Sequence, residues 1–309
     1  MRSLKDHFLL FLKGMGMGAA NVIPGVSGGT IALITGIFER LIDSIKSFDL
    51  KAIQLLFKFR IKELIKHTDL FFLIAVLSGA LVSVFSLAKL LEFLFANYPV
   101  YVWSFFFGLI LASVYFVGKT IERWTLSVII TFIIGTSIAI ALSVLSPATQ
   151  NDSFLYLIIC GVVAICSMIL PGLSGSFVLI LLGNYELVMI QAVSNVDIRI
   201  LFPVAIGAGG GLILFSHILS WVYKKYKNHT ISILTGFILG SLAILWPWKN
   251  EIYRYDEAGN FVIKKGEKVI QGYDRFIPDT LTTEVWLAII WMAVGIISIW
   301  IMEKALNKE

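Results

Sequence analysis

Two places in the chain set hydroxyls and glycines where an apolar helix is interrupted. Ser27-Gly28-Gly29-Thr30 follows Pro24-Gly25, and Ser174-Gly175-Ser176 follows Pro171-Gly172-Leu173. Proline removes a backbone donor and glycine loosens a helix, so Pro-Gly-x-Ser-Gly inside an apolar run ends one helix and begins another. Where a helix begins, its first N–H groups lack partners and its dipole is positive. Each break therefore offers an anion cradle, with glycines admitting close backbone approach and hydroxyls adding donors, suited to a phosphate or a carboxylate. The same residues also serve simple capping and tight packing, the purely structural use of the motif.

Few charges lie near these cradles. Glu39 and Glu186 follow them by about ten residues, and a carboxylate inside a membrane is costly and marks a proton or cation site; at the end of an arm it is an ordinary solvated charge. Arg40 offers a bidentate fork for a phosphate, for Glu186 or for lipid headgroups, or snorkels to the interface. Lys89, with Glu92 one turn on, sits inside the first long apolar run and is a candidate for coupling or gating, or a self-neutralising pair. Gly207 to Gly211, and Gly14 with Gly18, are small-residue strips suited to helix packing. Gly-Lys-Ser/Thr does not occur, so no Walker A motif is present. His7, His67, His217 and His229 show neither metal-ligand nor triad spacing. No catalytic residue, metal or cofactor is expected.

The elements holding these residues are membrane helices. The chain has 309 residues, 58% hydrophobic and 15% charged, with mean hydropathy +0.88; soluble domains carry about 25% charge. Cys160 and Cys166 lie within one apolar run, which excludes a secreted disulfide scaffold. The net charge of +5 is read as membrane orientation, with no nucleic-acid partner. Six spans are predicted, 70–96, 100–117, 126–145, 200–223, 231–246 and 285–302. The broken regions 8–45 and 154–193 have arms of about 13–18 residues, roughly 20–27 Å against a hydrocarbon core of about 30 Å. They read as re-entrant hairpins, and tight-turned pairs of full spans are the other arrangement. Lys13 interrupts the first apolar run and no cleavage site follows, so the N-terminus reads as part of the mature fold.

An internal repeat ties the breaks together. At an offset of 147 residues, Pro24, Gly25, Ser27, Gly28, Gly36 and Glu39 fall on Pro171, Gly172, Ser174, Gly175, Gly183 and Glu186. Beyond the basic amphipathic segment 46–69 the offset becomes 128, placing Gly79, Phe93, Gly108 and Ser113 on Gly207, Trp221, Gly236 and Ser241, and Lys89 on His217. Arg40 has no counterpart, because position 187 is leucine. The halves are 1–146 and 147–309, each a hairpin plus three crossings. Three is odd, so the second half enters the membrane in the opposite sense, an inverted-topology repeat of the kind found in secondary transporters. With both termini cytoplasmic, sixteen basic residues fall inside and the short outer loops hold only Arg199. The long outer loop 247–284 alternates around Tyr253-Arg254-Tyr255 and Phe261-Val262-Ile263 across Gly259-Asn260, which predicts a small β-hairpin.

The run Gly18-Ala19-Ala20-Asn21-Val22-Ile23-Pro24-Gly25-Val26-Ser27-Gly28-Gly29-Thr30, with Gly36-Ile37-Phe38-Glu39-Arg40-Leu41-Ile42 after it, resembles the signature of a bacterial membrane family long catalogued as a domain of unknown function and now associated with polyprenyl-phosphate translocation, PopT. The second break is similar to the same pattern. The resemblance implies return of undecaprenyl phosphate, the carrier lipid of cell-envelope polysaccharide synthesis, from the outer to the inner leaflet of the plasma membrane, with membrane lipids as further partners. Phosphate binding is then expected at Ser27, Gly28, Gly29, Thr30, Ser174, Gly175, Ser176 and Arg40, and coupling or gating at Glu39, Glu186 and Lys89, with Glu39 or Glu186 coupling the cycle to protons. A carrier of a soluble anion and an intramembrane lipid phosphatase are the competing readings.

Overall fold

A computed structural model describes residues 4–22, 27–145, 147–253, 261, 263–264, 267–268 and 270–306. Pro24 and Gly25 of the first motif lie outside this set, as do the side chains of Lys89 and Glu92. The chain is an all-α polytopic membrane protein. Among the described residues, six helices are long and apolar enough to cross a bilayer: α6 (Leu70–Asn97), α7 (Pro99–Gly118), α8 (Leu126–Val144), α12 (Ile198–Lys225), α13 (Lys227–Leu245) and α14 (Thr283–Leu306). They match the predicted spans to within two residues at each end, except that α13 begins and α14 ends four residues beyond the prediction. The first turn of α13, Lys227-Asn228-His229-Thr230, is polar and does not register as a span, yet it continues the helix.

The broken regions are α1 (Leu4–Val22), α2 (Gly28–Ile34) and α3 (Phe38–Lys46), and α9 (Phe154–Ile169), α10 (Gly175–Leu181), a π-helical segment Glu186–Ala192 and α11 (Val193–Asn195). The sequence predicts each second arm as one helix, whereas the structure divides it. Each arm breaks again at a left-handed glycine, Gly36 at φ +70° and Gly183 at φ +72°. The cause is a helix-ending turn: the Gly36 and Ile37 amides donate back to Leu33 and Ala32 oxygens, and the Gly183 and Asn184 amides to Ile180 and Leu179. The segment 46–69 forms α4 (Leu50–Phe57) and α5 (Ile61–His67).

Helix pairs pack through glycines whose contacts recur at fixed offsets. A Cβ on Gly14 would lie 2.1 Å from the Val76 oxygen, and one on Gly161 2.2 Å from the Val204 oxygen. Likewise Gly79 abuts Phe11 and Gly207 abuts Ile158, so α1 lies on α6 as α9 lies on α12. Gly108 abuts Met292 in the α7–α14 pair, and its offset partner Gly236 abuts Phe132 in the α8–α13 pair. Gly108→Ala would set a methyl 2.0 Å from the Met292 backbone oxygen. Overpacking of this kind costs about 1–3 kcal/mol, expected as a lower unfolding temperature in detergent.

The loop after α13 carries β1 (Lys249–Tyr253), β2 (Ile263–Lys264), β3 (Glu267–Lys268) and β4 (Ile270–Arg275). The predicted turn Gly259-Asn260 lies outside the described residues. Arg254, Tyr255 and Val262 of the predicted hairpin lie outside them too, and among the described residues β1 pairs antiparallel with β4 and β2 with β3. The Lys249 ammonium of β1 sits over the Trp103 ring of α7 at 3.6 Å and the Tyr273 ring of β4 at 4.7 Å, holding the pair against α7.

Candidate functional site

The two breaks meet in the interior. Ser27 is 1% exposed and Thr30 is fully buried. The Ser27 hydroxyl accepts from the Gly29 amide at 3.1 Å and faces the Leu170 and Met168 carbonyl oxygens at 3.1 and 3.3 Å. In return, the Gly172 amide donates to the Thr30 hydroxyl at 3.0 Å. Gly29 is what permits the approach, because a Cβ there would stand 2.4 Å from the Ile169 oxygen. The remaining early donors of α2 are also engaged: the Gly28 amide donates to the Asn21 side chain at 2.7 Å and the Thr30 amide to the Ser27 carbonyl. Ser27, Gly29 and Thr30 therefore hold the first break against the second in this conformation, and Gly28 ties α2 back to α1.

The second break is more open. Ser174 caps α10 by accepting from the Phe177 amide at 3.5 Å, and its hydroxyl lies 2.8 Å from that of exposed Ser176. Gly175 is buried against Ala164 and Met168 of its own hairpin. The exposed hydroxyl pair at the start of α10 leaves this break better placed than the first to meet an anion.

Thr30→Val removes the acceptor of a buried amide. Leaving such a group unpaired costs about 1–3 kcal/mol, so a marked fall in unfolding temperature is expected. Thr35→Val, whose hydroxyl bonds only within its own helix turn, is expected to fall much less.

The charged candidates separate. Arg40 engages Asp69 through both fork nitrogens, at 2.5 and 2.9 Å, and stacks over Phe72 with 4.0 Å to the ring centroid. It thereby fastens α3 to the start of α6. Glu39 is exposed in a polar cleft of about 430 Å³ that also holds Arg40, Asp43, His67 and Asp69. Glu186 is half-buried on the π-helical segment, where Gln191 donates to it at 3.4 Å. The repeat-related glutamates thus face different surroundings. Burial raises the pKa of Asp49 in the connecting segment, but the Ala52 amide and His67, which both donate to it, hold it below the ordinary carboxylate value.

Several residues of this region escape a reading of the sequence. Asp43, one turn after Glu39, accepts from Lys224 at 2.5 Å and from the Ser220 hydroxyl at 2.7 Å, joining α3 to α12 across the halves. Lys46 adds a bond to Ser220 at 3.3 Å. Asn184 is wholly buried and exchanges bonds with the Asn151 backbone, pinning the second arm. Lys13 donates to the Thr35 carbonyl and Tyr156 to that of Leu182, the offset-matched position. Lys13 thus closes the carbonyl freed where α2 ends.

Residues 17–262 match the family model described as undecaprenyl phosphate translocase-like. The chain is 38% identical over 307 residues, 98% of both chains, to a polyprenyl-phosphate transporter of Vibrio cholerae. It is 30% identical over 254 residues to a polyprenyl-phosphate transporter of Staphylococcus aureus, covering 76% of this chain and 85% of that one. No solved structure gives a significant match.

Proposed function

The chain belongs to the undecaprenyl phosphate translocase-like family, and from that premise we propose that it transports polyprenyl phosphate by alternating two inverted halves around the joined breaks. Polyprenyl phosphate transport is the activity named for both relatives. The finer reading is return of undecaprenyl phosphate from the outer to the inner leaflet of the bacterial plasma membrane, by a transporter rather than an enzyme, with both termini cytoplasmic. A phosphate monoester needs a solvated, donor-bearing path through hydrocarbon, whereas its tail can stay in lipid.

The meeting of the breaks is the observation that carries this reading, with Thr30 bonded to Gly172 and Ser27 to Leu170. Broken helices from two halves converging in the interior are the arrangement in which secondary transporters place their sites. Support for the repeat comes from the offset-matched glycine contacts and from the shared pattern of break, seven-residue helix and left-handed glycine. Ser174, Gly175 and Ser176 are assigned to the phosphate in this conformation. Ser27 to Thr30 take the role when the joint shifts, and Arg40 does so on release from Asp69. Glu39, Glu186 and Lys89 are assigned to coupling or gating, with Glu39 or Glu186 as the proton-coupling group.

Cells depleted of the protein are expected to accumulate the lipid phosphate on the outer surface. Unchanged surface levels in cells without a second carrier contradict the reading.

A further inference from the structure

Two tightly packed helix pairs, α1 with α6 and α7 with α14, leave an apolar slot between them. Cavities of about 510 Å³ and 320 Å³ adjoin along α6 and α7, both lined by Leu91, Phe105 and Phe106. Exposed Tyr98 and Trp291 stand at one end, and Ala20 of α1 and Ile31 of α2 stand at the other, beside the first break. Leu87, Leu91 and Leu94 mark its course along α6, which with Tyr98 gives a length of about 16 Å at 1.5 Å per residue.

The matching place in the other half is closed. There α3 packs across α12, with Phe38 against the Tyr223 ring at 6.2 Å and Asp43 bonded to Ser220 and Lys224. Leu219, the offset counterpart of Leu91, is buried in the same core as Phe38 and Ile42. The counterpart of α3 is the π-helical arm, and it does not dock on α6 in this way: Ile42 is 1% exposed, whereas its counterpart Met189 is 48% exposed. A π-helix where the first half has an α-helix marks an arm with an alternative packing. The slot is therefore an opening that the fold closes at the equivalent position, rather than a packing defect.

Resting on the transport reading above, we propose that this slot is the binding site for the isoprenoid chain of the transported lipid, and that docking of the 186–195 arm onto α6 closes it. The walls are aliphatic and aromatic, so they accept a hydrocarbon chain and refuse the phosphate. Ala20 and Ile31 at its inner end set the slot beside the first break, so one ligand occupies both once the joint shifts and Ser27 to Thr30 take the phosphate. Burying a hydrocarbon chain there covers the apolar slot walls.

The test is photolabelling of the reconstituted full chain with a polyprenyl phosphate carrying a diazirine on its isoprenoid tail, with leaflet exchange measured in the same vesicles. Adducts are expected on Leu94, Val102 and Phe106. Excess unlabelled polyprenyl phosphate should remove most of them, and the same excess of phosphatidylglycerol should not. Adducts confined to the outward faces of α8 and α14, or competed equally by phosphatidylglycerol, overturn the proposal. The first result leaves transport standing if exchange persists. Competable slot labelling without exchange supports the slot and contradicts the transport reading. Neither labelling nor exchange overturns both.

Discussion

Gly29→Ala is expected to cut transport by roughly five- to a hundredfold, taking an overpacking cost of about 1–3 kcal/mol at 1.4 kcal/mol per tenfold, while the chain still inserts in the membrane. The added methyl would lie 2.4 Å from the Ile169 carbonyl oxygen and 3.2 Å from the Pro171 nitrogen, both backbone atoms that cannot rotate away. Relief requires the breaks to separate. Separation strains the adjoining Ser27–Leu170 and Thr30–Gly172 bonds. Gly210→Ala is the control, because a Cβ there meets nothing within 4 Å, and it is expected to transport as the parent does. Equal amounts of both variants in the membrane fraction, with exchange lost only in the first, is the outcome to look for.

Charge reversal at the contact between α3 and α12 should have the next largest effect. Lys224→Glu sets a carboxylate where an ammonium now lies 2.5 Å from Asp43. Two like charges at about 4 Å repel by roughly 4 kcal/mol at an effective dielectric near 20, reduced by solvent at a site this open, so a loss on the order of tenfold is expected. The loss would reflect release of α3 from α12, shifting the balance between conformations. The swapped pair Asp43→Lys with Lys224→Glu should recover most of the activity, and raising salt should narrow the gap between single and double variants. A swap no better than the single reversal would place the defect elsewhere.

The six spans, the two breaks and their offset of 147 residues are legible in the sequence because each leaves a local mark: apolar length, Pro-Gly punctuation, repeated glycine. The second kinks at Gly36 and Gly183 are not, although both glycines belong to the repeat. Each glycine sits at the polar end of an apolar stretch, beside Thr35 or Asn184, so the sequence marks an end of hydropathy there and the turn itself shows only in φ. Arg40 stands out in the sequence as a phosphate ligand, but its partner Asp69 belongs to the basic connecting segment and is brought near by folding. Asp43 and Lys224 are separated by 181 positions and neither has a repeat partner of its own charge. The asymmetry between the arms is likewise hidden, since a repeat in sequence describes what the halves share. Their difference, α-helix against π-helix and Ile42 buried against Met189 exposed, arises from packing.

Purified protein in proteoliposomes, loaded in one leaflet with labelled polyprenyl phosphate, gives the most direct test. The account predicts leaflet exchange well above that of protein-free vesicles, altered by a pH gradient and strongly reduced in Gly29→Ala, with a headgroup-only phosphate left outside. Uptake of the soluble phosphate without lipid exchange, or release of inorganic phosphate from the lipid, would contradict it.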